Sequence, residues 1–181
     1  MSNLNFNESQ LLRGTFNLTD HHGRTVSSES FRGRFMLIFF GFTHCRVVCP
    51  RALTKISAAL DGIGEVSASI SALYITVDPE RDTPEVMREF LVSYPRIVGL
   101  TGSRAQIDEV KSNFRVFARR AADPFNVDEY NVPHTAIAYL LDIDGKFLAD
   151  FNDSIPLDEM VERLRGHLLP AHFQGAVRSQ N

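Results

Sequence analysis

Two predominantly apolar runs, residues 35–40 and 70–77, constrain the fold of this chain more than any other feature. Both are rich in β-branched and aromatic residues and neither alternates with polar ones, which is the pattern of strands covered on both faces. Between them residues 50–60 suit a helix, with Pro50 in its first turn and Gly62 just past its end. The pattern predicts a strand-helix-strand unit at the centre of a helix-covered sheet.

The flanking sequence extends that unit. Residues 14–26 alternate apolar and polar around a glycine-containing turn and predict an N-terminal hairpin. Thr83-Pro84 opens a second helix reaching about Tyr94, with Asp82 or Thr83 as its cap and capping the favoured role for Asp82. Ser103 and Gln106 form a capping-box pattern ahead of Ile107, Val110, Phe114 and Phe117 at helical spacing. Residues 134–141 and 146–151 flank Asp144-Gly145, a strong hairpin signal. A last helix over 157–168 places Met160, Val161 and Leu164 on one stripe. The expected class is α/β, a central mixed sheet flanked by helices with an N-terminal β-hairpin. The 181 residues suit one domain. Its expected limits are 14–169, after a flexible extension over 1–13 and before a tail over 170–181.

Charge and hydropathy exclude several roles. A net charge of −3 gives no ground for a nucleic-acid partner. Arg115, Arg119 and Arg120 are read as ending a helix, where cations complement the dipole. The longest apolar stretch, 35–42, is far short of the roughly 20 residues a spanning helix needs. The first ten residues carry neither a basic start nor an apolar core, so no signal peptide or anchor is visible.

The chemistry concentrates at Cys45 and Cys49, the chain's two cysteines, placed between the first apolar run and Pro50. A strand, a short loop with two thiols, then a helix is the layout of a thioredoxin-like redox or metal site. If the segment is helical, residues four apart project within about 40° of each other, their Cα atoms about 6 Å apart. That separation falls in the range of roughly 4.4–6.8 Å that a disulfide tolerates. A helix N-terminus and Arg46 both favour thiolate, the form that binds metal and attacks disulfides. Two inert buried cysteines are the bland alternative.

A third donor would complete a soft-metal site. Of six histidines, His21 and His22 fall in a turn, His167 and His172 lie near the C-terminus, and His44 adjoins Cys45. His134 heads a strand after a long loop, which in a thioredoxin-like sheet brings it to the crevice at the strands' carboxyl ends. Two thiolates and one imidazole suit Cu(I) better than the oxygen-seeking Mg²⁺ or Ca²⁺. Structural zinc normally takes four protein ligands, and no obvious fourth appears. Asp78, at the end of the second apolar run, sits on the same rim as Cys45 and is a candidate for supporting the site or facing a partner, as is Arg46.

These residues resemble the Sco/SenC family. The resemblance rests on residues 39–50 (Phe-Phe-Gly-Phe-Thr-His-Cys-Arg-Val-Val-Cys-Pro), 77–84 (Val-Asp-Pro-Glu-Arg-Asp-Thr-Pro), 99–102 and 130–135, and runs from about Gly14 to Leu168. It implies a thioredoxin-like fold, usually membrane-tethered and facing an oxidising or periplasmic compartment through an anchor not present here. It further implies a copper metallochaperone for the copper centre of cytochrome c oxidase, with Cys45, Cys49 and His134 as ligands for Cu(I), Cu(II) also being open. The partner implied is the oxidase subunit holding that centre, or another copper or thiol protein. The chain departs from the family where Arg46-Val47-Val48 replaces Pro and an acidic residue between the cysteines, and where Pro133 replaces the Asp before the histidine. Reduction of a partner's disulfide by Cys45 and Cys49 stays open as an alternative. A peroxiredoxin fits poorly, since no Pro lies between Gly41 and Cys45.

Overall fold

The structure is a computed structural model and describes residues 12–122 and 130–169. The expected extension falls almost wholly, and the tail wholly, outside those residues. A seven-stranded mixed sheet runs in the order β2-β1-β5-β4-β3-β8-β9. The strands are β1 (Asn17–Asp20), β2 (Thr25–Ser27), β3 (Phe35–Gly41), β4 (Ile70–Thr76), β5 (Ile97–Thr101), β8 (Ile137–Leu141) and β9 (Phe147–Asn152). A separate ribbon pairs β6 (Ala121–Ala122) with β7 (Tyr130–Asn131). The helices are α1 (Val48–Ile63), α2 (Pro84–Phe90), α3 (Arg104–Asn113) and α4 (Leu157–Leu168).

The two apolar runs form the adjacent parallel strands β3 and β4, as their hydrophobicity requires. Alternate residues feed opposite cores. Leu37, Phe39, Ala72 and Tyr74 pack toward α1 and α4, while Met36, Ile38, Phe40, Leu73 and Ile75 pack toward α3. The antiparallel partner β8 takes the other side of β3, with Met36 opposite Leu141 and Phe39 opposite Ala138. The β1–β2 hairpin, the Ser103/Gln106 capping box and α4 form as the sequence predicts.

Several boundaries differ. Helix α1 begins at Val48 and continues through Gly62 to Ile63, with Gly64 in the left-handed region at φ 71° as its cap. Position 62 is glycine where α4 passes close by: a Cβ there would come within 2.8 Å of Val161. Helix α2 stops at Phe90 and tightens into a 3₁₀ turn over Leu91–Ser93. Helix α3 ends at Asn113, before the expected stripe does. Arg115, at φ 54°, takes the left-handed position usually given to glycine, and the amides of Arg115 and Val116 bond Ser112 and Lys111 O. Phe114 is therefore buried but Phe117 is 67% exposed. The arginines of 115–120 follow the helix rather than complete its last turn. Strand β5 carries no clear sequence signal, being short and broken by Gly99. That glycine admits Leu91, whose Cδ1 would lie 2.6 Å from a Cβ.

Candidate metal and redox site

Cys45 and Cys49 stand where β3 ends and α1 begins. Cys45 lies before the helix rather than within it, and Cys49 is in the first turn. Their spacing therefore comes from a loop bent back on the helix N-terminus, where Cys45 N–H bonds Phe42 O at 3.1 Å. Both thiols are free, Cys45 partly exposed and Cys49 fully buried.

The two sulfurs are not equivalent. Cys45 Sγ receives the Cys49 thiol proton and the backbone N–H groups of Cys49, Val47 and Val48, which hold its pKa at about 5 despite partial burial. The Cys49 amide contact is 3.4 Å. This is an anion on unpaired helix-start donors. Arg46 is exposed on the loop, and the hydrogen bonds to the sulfur lead the causes of the low value. Cys49 is pushed far up, first because its proton is committed to Cys45, then by burial and by the neighbouring negative charge. The reduced pair holds one proton between two sulfurs.

His134 reaches this pair. Its Nε2 lies 3.9 Å from Cys49 Sγ. Its Nδ1 is 2.9 Å from Val132 O. A carbonyl only accepts, so the neutral ring carries its proton on Nδ1 and turns the Nε2 lone pair to the sulfur. The ring also stands edge-on to Phe42, at 5.7 Å between centroids. His134 precedes β8 rather than heading it, fixed by an isolated bridge to Ala118. Arg119 N–H donates to Pro133 O, and Thr135 N–H to Phe117 O. Cys45, Cys49 and His134 thus converge, although among the described residues no three Cys, His, Asp or Glu side chains yet surround one point.

Two buried carboxylates support the site from the β4–α2 loop. Asp82 does not cap α2; Thr83 does, accepting Val86 N–H at 3.4 Å. Asp82 instead accepts from Thr43 N–H at 3.0 Å, Thr43 Oγ1 at 2.6 Å and Thr76 Oγ1 at 2.6 Å. Burial raises its pKa and those donors offset part of the rise. The cysteine loop is thereby tied to the sheet. A usable cap at Thr83 was the sequence signal that Asp82 was free for other work. Asp78 bonds to the ribbon ahead of His134 and to its own loop. It accepts from Tyr130 Oη at 2.9 Å and Arg81 Nε at 2.5 Å. Arg81 and Arg120 stack on the Tyr130 ring at 3.7 and 4.4 Å. Arg120 also pairs with Glu80. That latch fastens the His134-bearing segment to the loop after β4, and sequence reasoning saw only its carboxylate.

Among the described residues the other histidines do not join. His21 Nδ1 accepts Gly99 N–H at 2.8 Å, and His44 turns its Nδ1 to Thr43 Oγ1. His167 is exposed on α4, and His172 lies outside the described residues.

A helix-covered mixed sheet with a thiolate on a helix N-terminus, a buried second thiol and an imidazole facing it defines a dithiol protein of the thioredoxin-like class. The SCO1/SenC family model matches residues 5–169. Protein sco1 of Schizosaccharomyces pombe is 40% identical over 87% of this chain, and the human mitochondrial SCO1 homolog 38% over 88%. The chain spans 61% and 54% of those proteins' lengths. The copper-bound structure of ScoI from Bradyrhizobium japonicum superposes with a TM-score of 0.76 at 40% identity, covering 84% of this chain and 96% of that one. The chain belongs to the SCO1/SenC family.

Proposed function

We propose that this protein is a copper metallochaperone that holds Cu(I) through Cys45, Cys49 and His134 and delivers it to the copper-site subunit of cytochrome c oxidase. The carrying observation is the aim of His134: its proton is pinned on Nδ1 by Val132 O, and Nε2 faces Cys49 Sγ at 3.9 Å. An imidazole held this way has its basic nitrogen ready for a metal, and a two-sulfur, one-nitrogen set suits Cu(I). Cys45 needs no deprotonation near neutral pH. Only Cys49 must give up its proton to solvent. Family membership and the copper-bound relative support the reading. Residues 14–169 are the working unit, which acts tethered to a membrane and facing an oxidising or periplasmic compartment.

The test is Cu(I) competition against a chromophoric chelator. One Cu(I) per reduced chain is expected. Cys45→Ser and Cys49→Ser should weaken binding by at least a hundred-fold, and His134→Ala by at least ten-fold. Binding by the cysteine variants at parental affinity would remove the assignment.

One feature favours a second reading, the asymmetry of the thiols. Cys45 as an accessible thiolate can attack a partner disulfide, releasing one partner thiolate and forming a mixed disulfide. Cys49, losing its proton, then attacks Cys45 Sγ and releases the second partner thiolate. Two electrons pass to the partner, and the chain is left with a Cys45–Cys49 disulfide. Such reduction should survive His134→Ala, whereas copper capture should not.

A further inference from the structure

Phe42 follows β3, where the chain leaves the sheet for the cysteine loop. It is 2% exposed and packs into the core on the α3 side. Two of the proposed copper donors meet it. Its carbonyl oxygen accepts Cys45 N–H at 3.1 Å, and its ring stands at 80° to the His134 imidazole with 5.7 Å between centroids. His134 needs that second contact. Donation from Nδ1 to Val132 O holds the imidazole at one point, and a ring held at one point can still pivot about it. An aromatic ring packed against it stops the pivot and keeps Nε2 aimed at Cys49.

What holds Phe42 in turn comes from another element. Arg81, in the β4–α2 loop, places its guanidinium carbon 5.9 Å from the Phe42 centroid and 3.7 Å from the Tyr130 centroid. Asp78 fixes its Nε at 2.5 Å. The Arg81 side chain is only 18% exposed, and its Nη2 is buried with no hydrogen-bond partner among the described residues. Water would satisfy that nitrogen, so burying it bare carries a cost that the ring contacts offset. Neither Phe42 nor Arg81 offers an atom that could bind a metal.

We infer that Phe42 and Arg81 are positioning residues for His134: Arg81 braces the Phe42 ring, and that ring sets the plane of the imidazole. The role belongs to the flat guanidinium rather than to its charge. A planar fork lies along two rings, where an ammonium is compact, strongly hydrated and free to turn. The inference deepens the proposed copper site and rests on that reading only where copper is measured.

The deciding experiment is copper-free. In reduced protein at mildly alkaline pH, long-range proton–nitrogen NMR reads which nitrogen of His134 carries the proton, and NOEs read the contact between its ring and that of Phe42. The parent should show the Nδ1–H tautomer alone, with NOEs between the rings. Arg81→Met, which keeps an unbranched apolar stem and leaves the core side chains in place, should lose those NOEs and admit the second tautomer. Phe42→Leu should admit it too, and Arg81→Lys should resemble Arg81→Met. Arg163 stacks on Phe151 at 4.7 Å, in the core on the opposite face of the sheet. Arg163→Met therefore removes a contact of the same kind and should leave both signals parental. In the same proteins Arg81→Met should weaken Cu(I) binding about ten-fold, as loss of a group that orients a ligand does. A parental tautomer and parental NOEs in Arg81→Met would overturn the brace, and restoration by Arg81→Lys would overturn the role given to the guanidinium plane. If both signals move but the parent binds no Cu(I), the positioning role stands and the chaperone reading falls.

Discussion

The two sulfurs differ because of what each touches, and their difference sets the pH behaviour of the site. Alkylation of Cys45 by iodoacetamide in the reduced protein should rise through about pH 5 and be on its plateau at neutrality. Cys49→Ala removes the largest of the bonds to that thiolate and should move the midpoint upward, further than Arg46→Ala does. A larger shift from Arg46→Ala would sink the hydrogen-bond account. The same group links pH to stability. Its folded pKa lies below the 9.0 of an unperturbed cysteine, so its contribution is complete above that value and is lost as pH falls through about 5. The difference in urea midpoint between parent and Cys45→Ser should therefore shrink as pH is lowered across that window. Part of this site was legible in advance: the thiol pair and the favoured thiolate follow from residue type and order, whereas His134 was singled out by the inferred topology and by the family resemblance. The source of the low pKa was not legible, because it depends on which N–H groups the loop turns toward the sulfur.

At the scale of elements, the β4–α2 loop does more than connect. Asp82 gathers a backbone amide and two hydroxyls from β3's exit loop and β4. Asp82→Ala would leave them buried without an acceptor, which should cost about 3 kcal/mol. Denaturant midpoints would measure it. Because Thr43 is two residues from Cys45, Cu(I) affinity should fall in Asp82→Ala as well, while Asp82→Asn, which keeps one acceptor oxygen, should lose less of both. Parental stability in Asp82→Ala would show that the clamp carries no load. The elements were readable where period and punctuation agree, as in β3, β4, the Asp144-Gly145 turn and α4. They were not readable where an unmarked residue takes a special conformation. Arg115 closes α3 in a left-handed position that sequence rules assign to glycine, so the apolar stripe through Phe117 looked longer than the helix it belongs to. Asp82 was misplaced for a related reason, since an Asp before Thr-Pro satisfies the capping pattern whether or not its side chain turns inward.

Across the whole molecule, the proposed donors join the amino half, through Cys45 and Cys49, to the carboxyl half, through His134. A ligand bound only by the folded chain stabilises it by mass action, by about 4 kcal/mol at a free concentration a thousand times its dissociation constant. Cu(I) should accordingly raise the thermal midpoint of the reduced protein, and a competing chelator should return it to the copper-free value. The shift should be smaller in His134→Ala and absent in Cys45→Ser. A full shift in His134→Ala would mean that the metal sits on the thiols without crossing the sheet. The pairing of β3 with β8 also imposes a timetable on the chain as it is made. His134 follows Cys49 by 85 residues, about 4–17 s of synthesis at roughly 5–20 residues per second. Throughout that interval the nascent chain carries both thiols without the imidazole or the strand that later close over them. The cell meets this protein first as a bare pair of sulfurs.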